Sequence, residues 1–116
     1  MKKVEAIIRK TKFMEVKDAL YEAGIEWFSY IDVRGVGQDR QERIYRGVVY
    51  DTSIIERIML SIVVRDKNVQ RTVDAIINSA QTGEVGDGRI FITPVEESIS
   101  IRTGRKGETT LYHEDK

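Results

Sequence analysis

The segment best suited to bind a ligand is residues 82–89, which reads Thr-Gly-Glu-Val-Gly-Asp-Gly-Arg. Its three glycines allow positive φ angles and let the backbone approach a ligand closely. Successive main-chain N–H groups in such a turn form a nest that suits an anion. Arg89 and Arg102 follow, and a guanidinium offers a planar fork of donors that matches phosphate. The pattern predicts a phosphate site; the alternative is a solvated surface turn between a helix and a strand.

A second candidate region is the segment of residues 37–53, which has mixed charge and little hydrophobic pattern. Connections this long are uncommon in compact domains and are usually functional or disordered. The segment carries two tyrosines and an arginine around a glycine: Tyr45, Arg46, Gly47 and Tyr50. Such side chains are suited to partner contact or covalent modification. The alternative is that both tyrosines pack against the body of the protein or a neighbouring subunit.

The sequence contains no recognisable enzyme constellation. It has no cysteine, which excludes disulfides and thiolate chemistry. The single histidine, His113, falls in the polar C-terminal tail of residues 108–116. There is no Walker lysine motif and no dinucleotide fingerprint. An enzyme alternative is a small phosphatase in which the glycine segment grips a phosphoryl group, but no residue is placed to supply a nucleophile. We therefore expect a regulator without catalytic or directly bound metal chemistry.

Composition narrows the class of protein further. The 116 residues suffice for one domain with a hydrophobic core, and the 19 basic and 19 acidic side chains cancel. This balance disfavours nucleic acid as a partner, because nucleic-acid binders usually carry a basic excess. The apolar stretch near the N-terminus is too short and too charged for a signal peptide, and no run approaches the roughly 20 apolar residues of a membrane span. We expect a cytoplasmic protein.

Hydrophobic periodicity predicts the elements that position these segments. Alternation indicates strands at residues 4–9, 27–34, 54–64 and 90–92, the last ending near Pro94. Helical spacing starts at Phe13 and again after Asp66, with Thr11 and Asp66 as N-caps and Gly24 ending the first helix. The second helix is expected to bury one stripe, formed by Val69, Val73, Ile76, Ile77 and Ala80.

The order strand-helix-strand, long loop, strand-helix-strand predicts an α+β fold of ferredoxin-like βαββαβ type. In this fold a four-stranded antiparallel sheet carries both helices on one face, with the long loop between strands 2 and 3. The other face stays uncovered within one chain. Its apolar residues are expected to meet a second copy of the protein.

Four segments together resemble the PII nitrogen-regulatory proteins: residues 1–9, 45–50, 82–96 and 101–104. The resemblance extends from residue 1 to about residue 107, which defines a domain of residues 1–107 followed by the tail. It implies a ferredoxin-like homotrimer that binds ATP or ADP in the clefts between subunits.

The resemblance also implies roles for individual residues. The phosphate-binding positions match Gly86, Asp87, Gly88, Arg89 and Arg102. Ser29 and Val63 match positions that line the adenine and ribose side of the site. Tyr50 matches a tyrosine that some members have uridylylated, and Arg46, beside Tyr45, matches an arginine that enters the mouth of ammonium channels.

Mg²⁺ and 2-oxoglutarate are the other ligands that the resemblance implies. Gln38 matches the glutamine that helps to bind both, with Asp39 and Gln41 as alternatives because the loop is one residue shorter than usual. Arg57 stands where the family has a lysine that meets the 2-oxoglutarate carboxylate. Ser100 replaces a second phosphate-binding arginine. A lost charge-assisted contact is worth about 1.5–3 kcal/mol, so ATP would bind about ten- to a hundredfold more weakly, or ADP would be favoured.

The implied partner is an ammonium transporter or a nitrogen-assimilation enzyme, bound through residues 37–53, with any membrane contact made through the transporter. One alternative is a PII-like trimer in another pathway, such as nitrogenase control or a different transporter. Another is an RNA-binding module, since RNA-recognition domains share the βαββαβ order. Those domains stack bases on strand aromatics, however, and the last predicted strand offers only Phe91.

Overall fold

The chain folds as a four-stranded antiparallel sheet with two helices. The computed structural model describes residues 1–37, 42–45, 48–51 and 54–111, with only the backbone described at 42–45 and 48–51. The elements, in chain order, are β1 (Lys2–Arg9), α1 (Phe13–Glu22), β2 (Ser29–Val36), β3 (Glu42–Tyr45), β4 (Val48–Asp51), β5 (Ile54–Val64), α2 (Val69–Ala80) and β6 (Arg89–Pro94). The main sheet has the order β2-β5-β1-β6, and β3 pairs with β4 in a separate hairpin. The predicted α+β class and βαββαβ order are confirmed.

The core lies between the helices and one face of the sheet. Side chains alternate between the two faces of a strand, and all the buried residues of β1 and β5 are even-numbered. The two helices contribute apolar residues to the same cluster. The fully or almost fully buried members include Val4, Ala6, Ile8, Val16, Leu20, Leu60, Ile62 and Ile76. Burial of this apolar surface is the main force that holds the helices on the sheet.

The opposite face of the sheet, called the open face below, is formed by the odd-numbered residues of β1, β2, β5 and β6. It combines charged side chains with apolar ones. Three of the apolar residues are well exposed: Ile31 (54%), Phe91 (48%) and Val63 (36%). An apolar surface of this kind, next to charged groups, is typical of a protein contact site.

Both helices begin differently from the sequence prediction. A 3-10 turn at Lys10–Lys12 precedes α1, and Lys12 occupies the N-cap position, so Thr11 is not the cap. A second 3-10 turn, Asp66–Asn68, precedes α2. The carboxylate of Asp66 accepts from the N-terminal ammonium of Met1 at 3.1 Å instead of capping the helix. The 3-10 turns pair some of the main-chain N–H groups at the helix starts that the predicted capping side chains would otherwise have paired.

The buried stripe of α2 also differs in part from the prediction. Ile76 and Ala80 are buried as expected, but Ile77 is 42% exposed. Thr72 is fully buried instead, and its hydroxyl donates to the carbonyl oxygen of Asn68 at 2.8 Å. Because this hydrogen bond is made within the helix, the threonine can face the core without leaving a polar group unpaired.

The chain beyond β6 packs beside the N-terminus. The amide of Val95 donates to the carbonyl oxygen of Met1 at 3.1 Å. The segment ends in a 3-10 turn, Glu108–Leu111, where the Thr110 hydroxyl donates to the Ser98 hydroxyl at 2.6 Å. Residues 108–111, which the sequence prediction placed in the polar tail, therefore form a hydrogen-bonded turn on the domain. No helix among residues 1–37 and 54–111 is long and apolar enough to cross a membrane.

Candidate functional site

The glycine loop, residues 82–88, joins α2 to β6 and has the backbone geometry that its sequence predicts. Gly83, Gly86 and Gly88 have φ angles of 88°, 100° and 110°. Gly88 is also pressed against β1, because a Cβ atom built there would lie 1.7 Å from the carbonyl oxygen of Ile7. No side chain fits in that space. The start of β6 can therefore pair with β1 only if residue 88 is glycine.

Asp87 is the centre of a hydrogen-bond network that shapes the loop. Its carboxylate accepts from the main-chain amides of Thr82 at 2.8 Å and Gly83 at 2.9 Å, and from the Thr82 hydroxyl. Arg9, at the end of β1, donates from Nε to Oδ1 of Asp87 at 3.1 Å. The predicted phosphate-site residue Asp87 therefore uses its carboxylate within the loop, and the residue's contribution to an anion site would come from its backbone.

The same network lowers the pKa of Asp87. The hydroxyl and amide of Thr82, ahead of Arg9 and the amide of Gly83, hold the pKa of the carboxyl well below its usual range. A depressed folded-state pKa stabilises the fold above the unfolded-state pKa of about 4, and this contribution is lost as the pH falls through the folded-state value.

We expect Asp87→Asn to lower the free energy of unfolding by an amount that is constant between about pH 5 and about pH 8. Below about pH 4 the difference from the wild type should shrink, because the carboxyl group of the unfolded wild type then binds a proton that the folded state does not, which favours unfolding. Urea denaturation of both proteins over this pH range measures the difference. A difference that already closes between about pH 5 and about pH 6 would contradict the assignment.

Two arginines hold the loop from the open face of the sheet. Arg9 donates from Nη2 to the carbonyl oxygen of Val85 at 3.0 Å, and Arg57 donates from Nη2 to that of Gly86 at 3.1 Å. A Cβ atom at Gly86 would lie 3.3 Å from Nη2 of Arg9 and 3.4 Å from Nη2 of Arg57. Burial and, after it, the charge of Arg9 lower the pKa of Arg57. Like charges held this close favour a bound anion.

A cleft of about 440 Å³ lies beside these groups, between the glycine loop and the end of β2. Its walls combine the backbone of several glycines with the side chains of two arginines, and they also include the acidic residues Glu84 and Asp87. The lining residues that matter here are Gly35, Gly37, Arg57, Gly86, Gly88 and Arg89. Glycines on both sides leave main-chain N–H groups accessible to a ligand. The cleft can thus accept an anionic group and neutralise it with arginine.

The remaining predicted nucleotide residues lie at the other end of the sheet. Ser29 pairs with Ser61, and Val63 pairs with Lys3, at the end where the N-terminus and the segment after β6 pack together. Ser100 lies on a turn in that segment, where its carbonyl oxygen accepts from the amide of Gly104 at 2.8 Å. Arg102 is on the same turn. We call this end the terminal half-site, and the end with the glycine loop the loop half-site.

The predicted site residues therefore form two groups within one protomer. The loop half-site holds Gly86, Asp87, Gly88, Arg89 and Arg57; the terminal half-site holds Ser29, Val63, Ser100 and Arg102. Arg57 and Val63 are six positions apart on β5, which corresponds to about 20 Å along the strand. Of the loop residues, Gln38 and Arg46 lie outside the described part of the chain, and Tyr45 and Tyr50 are described by backbone alone.

Sequence reasoning missed Arg9 and Thr82 as parts of the site. Arg9 belongs to the predicted strand of residues 4–9, and nothing in its own neighbourhood along the chain links it to Asp87, 78 positions away. Thr82 had a local signal, since a threonine near an aspartate in a glycine-rich turn commonly forms side-chain to backbone hydrogen bonds. In the described ranges, no group of three or more acidic, histidine or cysteine side chains could hold a metal ion.

The fold and the site define a class: small ferredoxin-like proteins with an arginine-held glycine loop at one end of the sheet. The family model for nitrogen regulatory protein P-II matches residues 1–105. The sequences of curated relatives with this name align with almost the full chain. The protein of Nostoc punctiforme is 51% identical over 107 residues, covering 91% of this chain and 96% of its own length. That of Azospirillum brasilense is 44% identical over 108 residues, covering 92% and 96%.

This chain therefore belongs to the nitrogen regulatory protein P-II family, whose members are signal-transduction regulators and not catalysts. The resemblance that the sequence suggested is confirmed, and with it the expectation of a regulatory protein.

Proposed function

We propose that this protein binds ATP or ADP in clefts between the protomers of a homotrimer and transmits the bound state to a partner through residues 37–53. The observation that carries the proposal is the separation of the predicted nucleotide residues into two half-sites at opposite ends of one sheet. One protomer cannot bring both half-sites to the same nucleotide. The loop half-site of one copy must therefore meet the terminal half-site of the next.

Head-to-tail contact of this kind would allow the copies to close into a ring. Different surfaces of identical chains meet in a heterologous interface, which produces a ring when the rotation between copies closes. The exposed Ile31, Val63 and Phe91 of the open face would be covered in such a ring. Three copies would give three equivalent clefts, each built from two neighbours, as the family resemblance implies.

The loop half-site is suited to the phosphates of the nucleotide. Main-chain amides of residues 86–88 and the guanidinium of Arg89 would meet the phosphate oxygens, with Arg102 of the neighbouring copy reaching the same group. Bound Mg²⁺ would be held chiefly by phosphate oxygens, as is usual for this ion, with Gln38 as the protein ligand we propose. Arg57 would offer its charge to a carboxylate of 2-oxoglutarate beside the same cleft.

The segment of residues 37–53 is the proposed output element. It leaves the sheet at Gly37, which lines the cleft beside the glycine loop, and its β3–β4 hairpin has the register Glu42↔Asp51 to Tyr45↔Val48. A ligand in the cleft would therefore contact the base of this segment and shift its population of conformations. We propose that Arg46 and Tyr45 contact the partner and that Tyr50 is the position available for modification.

The partner that we propose is an ammonium transporter or a nitrogen-assimilation enzyme in the cytoplasm. A PII-type trimer that serves nitrogenase control or another transporter is the second candidate. Two valines, Val48 and Val49, stand in the hexapeptide where the family usually has small or acidic residues, and a modifying enzyme that recognises those residues would act on Tyr50 less readily.

Calorimetric titration of the purified protein with ATP, ADP and 2-oxoglutarate tests the proposal. We expect both nucleotides to bind, and 2-oxoglutarate to bind only when ATP and Mg²⁺ are present. Because Ser100 cannot supply a second guanidinium, the preference for ATP over ADP should be weak. No heat for either nucleotide at about millimolar concentration, the weak end of specific binding, would overturn the proposal.

A further inference from the structure

We propose that Trp27 is the side chain on which the nucleobase stacks. This inference rests on the proposed function, and it adds a binding residue that the family resemblance did not supply. Trp27 is the single tryptophan of the chain, and its side chain is 81% exposed. It lies in the segment just before β2, next to Ser29 of the terminal half-site.

The neighbouring aromatic residues explain why Trp27 remains outside the core. Phe28 packs against the hydrophobic core, and its ring lies 6.5 Å from that of Phe13 in an edge-to-face arrangement. The ring of Phe13 is also 4.5 Å from that of Tyr30. These three rings fill the space beside α1 and fix the backbone on both sides of residue 28. The packing of the neighbouring rings therefore fixes the backbone of residue 27, while the indole stays outside the core in solvent.

Strand register shows what Trp27 stands beside. The β2–β5 ladder ends at the pair Ser29↔Ser61, so Trp27 lies two residues before the paired part of β2, on the side toward Val63. Side chains at these odd-numbered positions belong to the open face, whereas Phe28 belongs to the helix-covered face. Trp27, Ser29 and Val63 therefore form one corner of the sheet, and two of the three are the residues predicted to line the base and ribose.

The indole suits this position chemically. A purine is a flat π-system that stacks on an aromatic ring, and such stacking tolerates any base because every base has a π-face. Because the backbone of residue 27 is already anchored, ordering the indole on a bound base costs only the freedom of its side-chain torsions. The contact would offset part of the affinity lost through Ser100. It would contribute equally to ATP and ADP, since both carry the same base.

Fluorescence of the single tryptophan tests the inference directly. We expect ATP and ADP to change the emission of Trp27 with the same midpoint that calorimetry gives. Inorganic tripolyphosphate, which lacks a base, should bind to the loop half-site without changing the emission. Trp27→Ala should raise the Kd for ATP about 5- to 100-fold, because base stacking is lost. Trp27→Phe should keep the Kd within about threefold, since a ring remains.

The matched control is Tyr21→Ala, which removes another exposed aromatic side chain (77% exposed) from the helix layer and should leave the Kd unchanged. Circular dichroism of each variant checks the fold. Heat of ATP binding without a change in emission, or an unchanged Kd in Trp27→Ala, would overturn the role of Trp27 and leave the proposed function standing. Absence of ATP heat in the wild type would overturn both.

Discussion

Gly88→Ala is expected to destabilise the protein by about 3–5 kcal/mol and to abolish nucleotide binding, the largest effect of any single change in the glycine loop. The added Cβ atom would lie 1.7 Å from the carbonyl oxygen of Ile7, and the backbone of β1 cannot withdraw without breaking its ladder to β6. A φ of 110° adds strain for any residue with a side chain. Urea denaturation measures the loss, and calorimetry with ATP measures the binding.

Gly83→Ala is the matched control for this experiment. Gly83 has a similarly positive φ of 88°, but a Cβ atom there would meet nothing within 4 Å. Gly83→Ala should therefore lower the free energy of unfolding only through conformational strain, by about 1 kcal/mol. If the two variants proved equally stable, the close approach between residue 88 and β1 would not be the reason for the glycine.

Mixed rings of two variants that each bind ATP weakly should recover sites of wild-type affinity. Arg89→Ala damages the loop half-site and Arg102→Ala damages the terminal half-site, and each should raise the Kd about ten- to a hundredfold. When the two variants are unfolded and refolded together in equal amounts, roughly a quarter of the clefts should combine an intact half from each neighbour. The number of ATP sites per protomer, titrated at a concentration that saturates only wild-type sites, measures this recovery.

A mixture of two variants with the same damaged half provides the control. Arg89→Ala refolded with Arg89→Gln removes the guanidinium from every loop half-site, so no cleft should regain wild-type affinity. Recovery in this control, or none in the first mixture, would show that the nucleotide site is not shared between neighbours in the way that the half-sites require.

The sequence was informative about the elements because their signals are local. β5 was predicted with its observed bounds, Ile54–Val64, since apolar residues at every second position from Ile58 to Val64 are a strong strand signal. The positive φ of the loop glycines followed from residue type alone. The helix starts were predicted less well: an N-cap assignment depends on a single residue, and a short 3-10 turn can take the place of the cap.

The wrong assignment of Ile77 and the omission of Thr72 have a common cause. Both lie at the margin of the apolar stripe of α2, where hydrophobicity alone decides the prediction. Thr72 faces the core because its hydroxyl is already paired within the helix, a condition that a pattern of residue types does not reveal.

The sequence predicted individual residues of the candidate site but not how the fold arranges them. Residue types indicated a phosphate-binding loop, but the contact of Arg9 with Asp87 depends on the pairing of β1 with β6. The separation into half-sites likewise became visible only with the strand register. The roles of Ser29, Val63, Ser100, Arg102 and the other site residues remain predictions, and the experiments above address them.

The ladder between β1 and β5 runs through eight consecutive residue pairs, from Lys2↔Val64 to Arg9↔Arg57, without a bulge. Such a ladder resists stretching, because every residue contributes to an unbroken row of backbone hydrogen bonds. It therefore fixes the distance between the loop half-site and the terminal half-site of one protomer. Under the proposed function, a bound nucleotide would therefore alter the surface of the protomer and leave its dimensions unchanged.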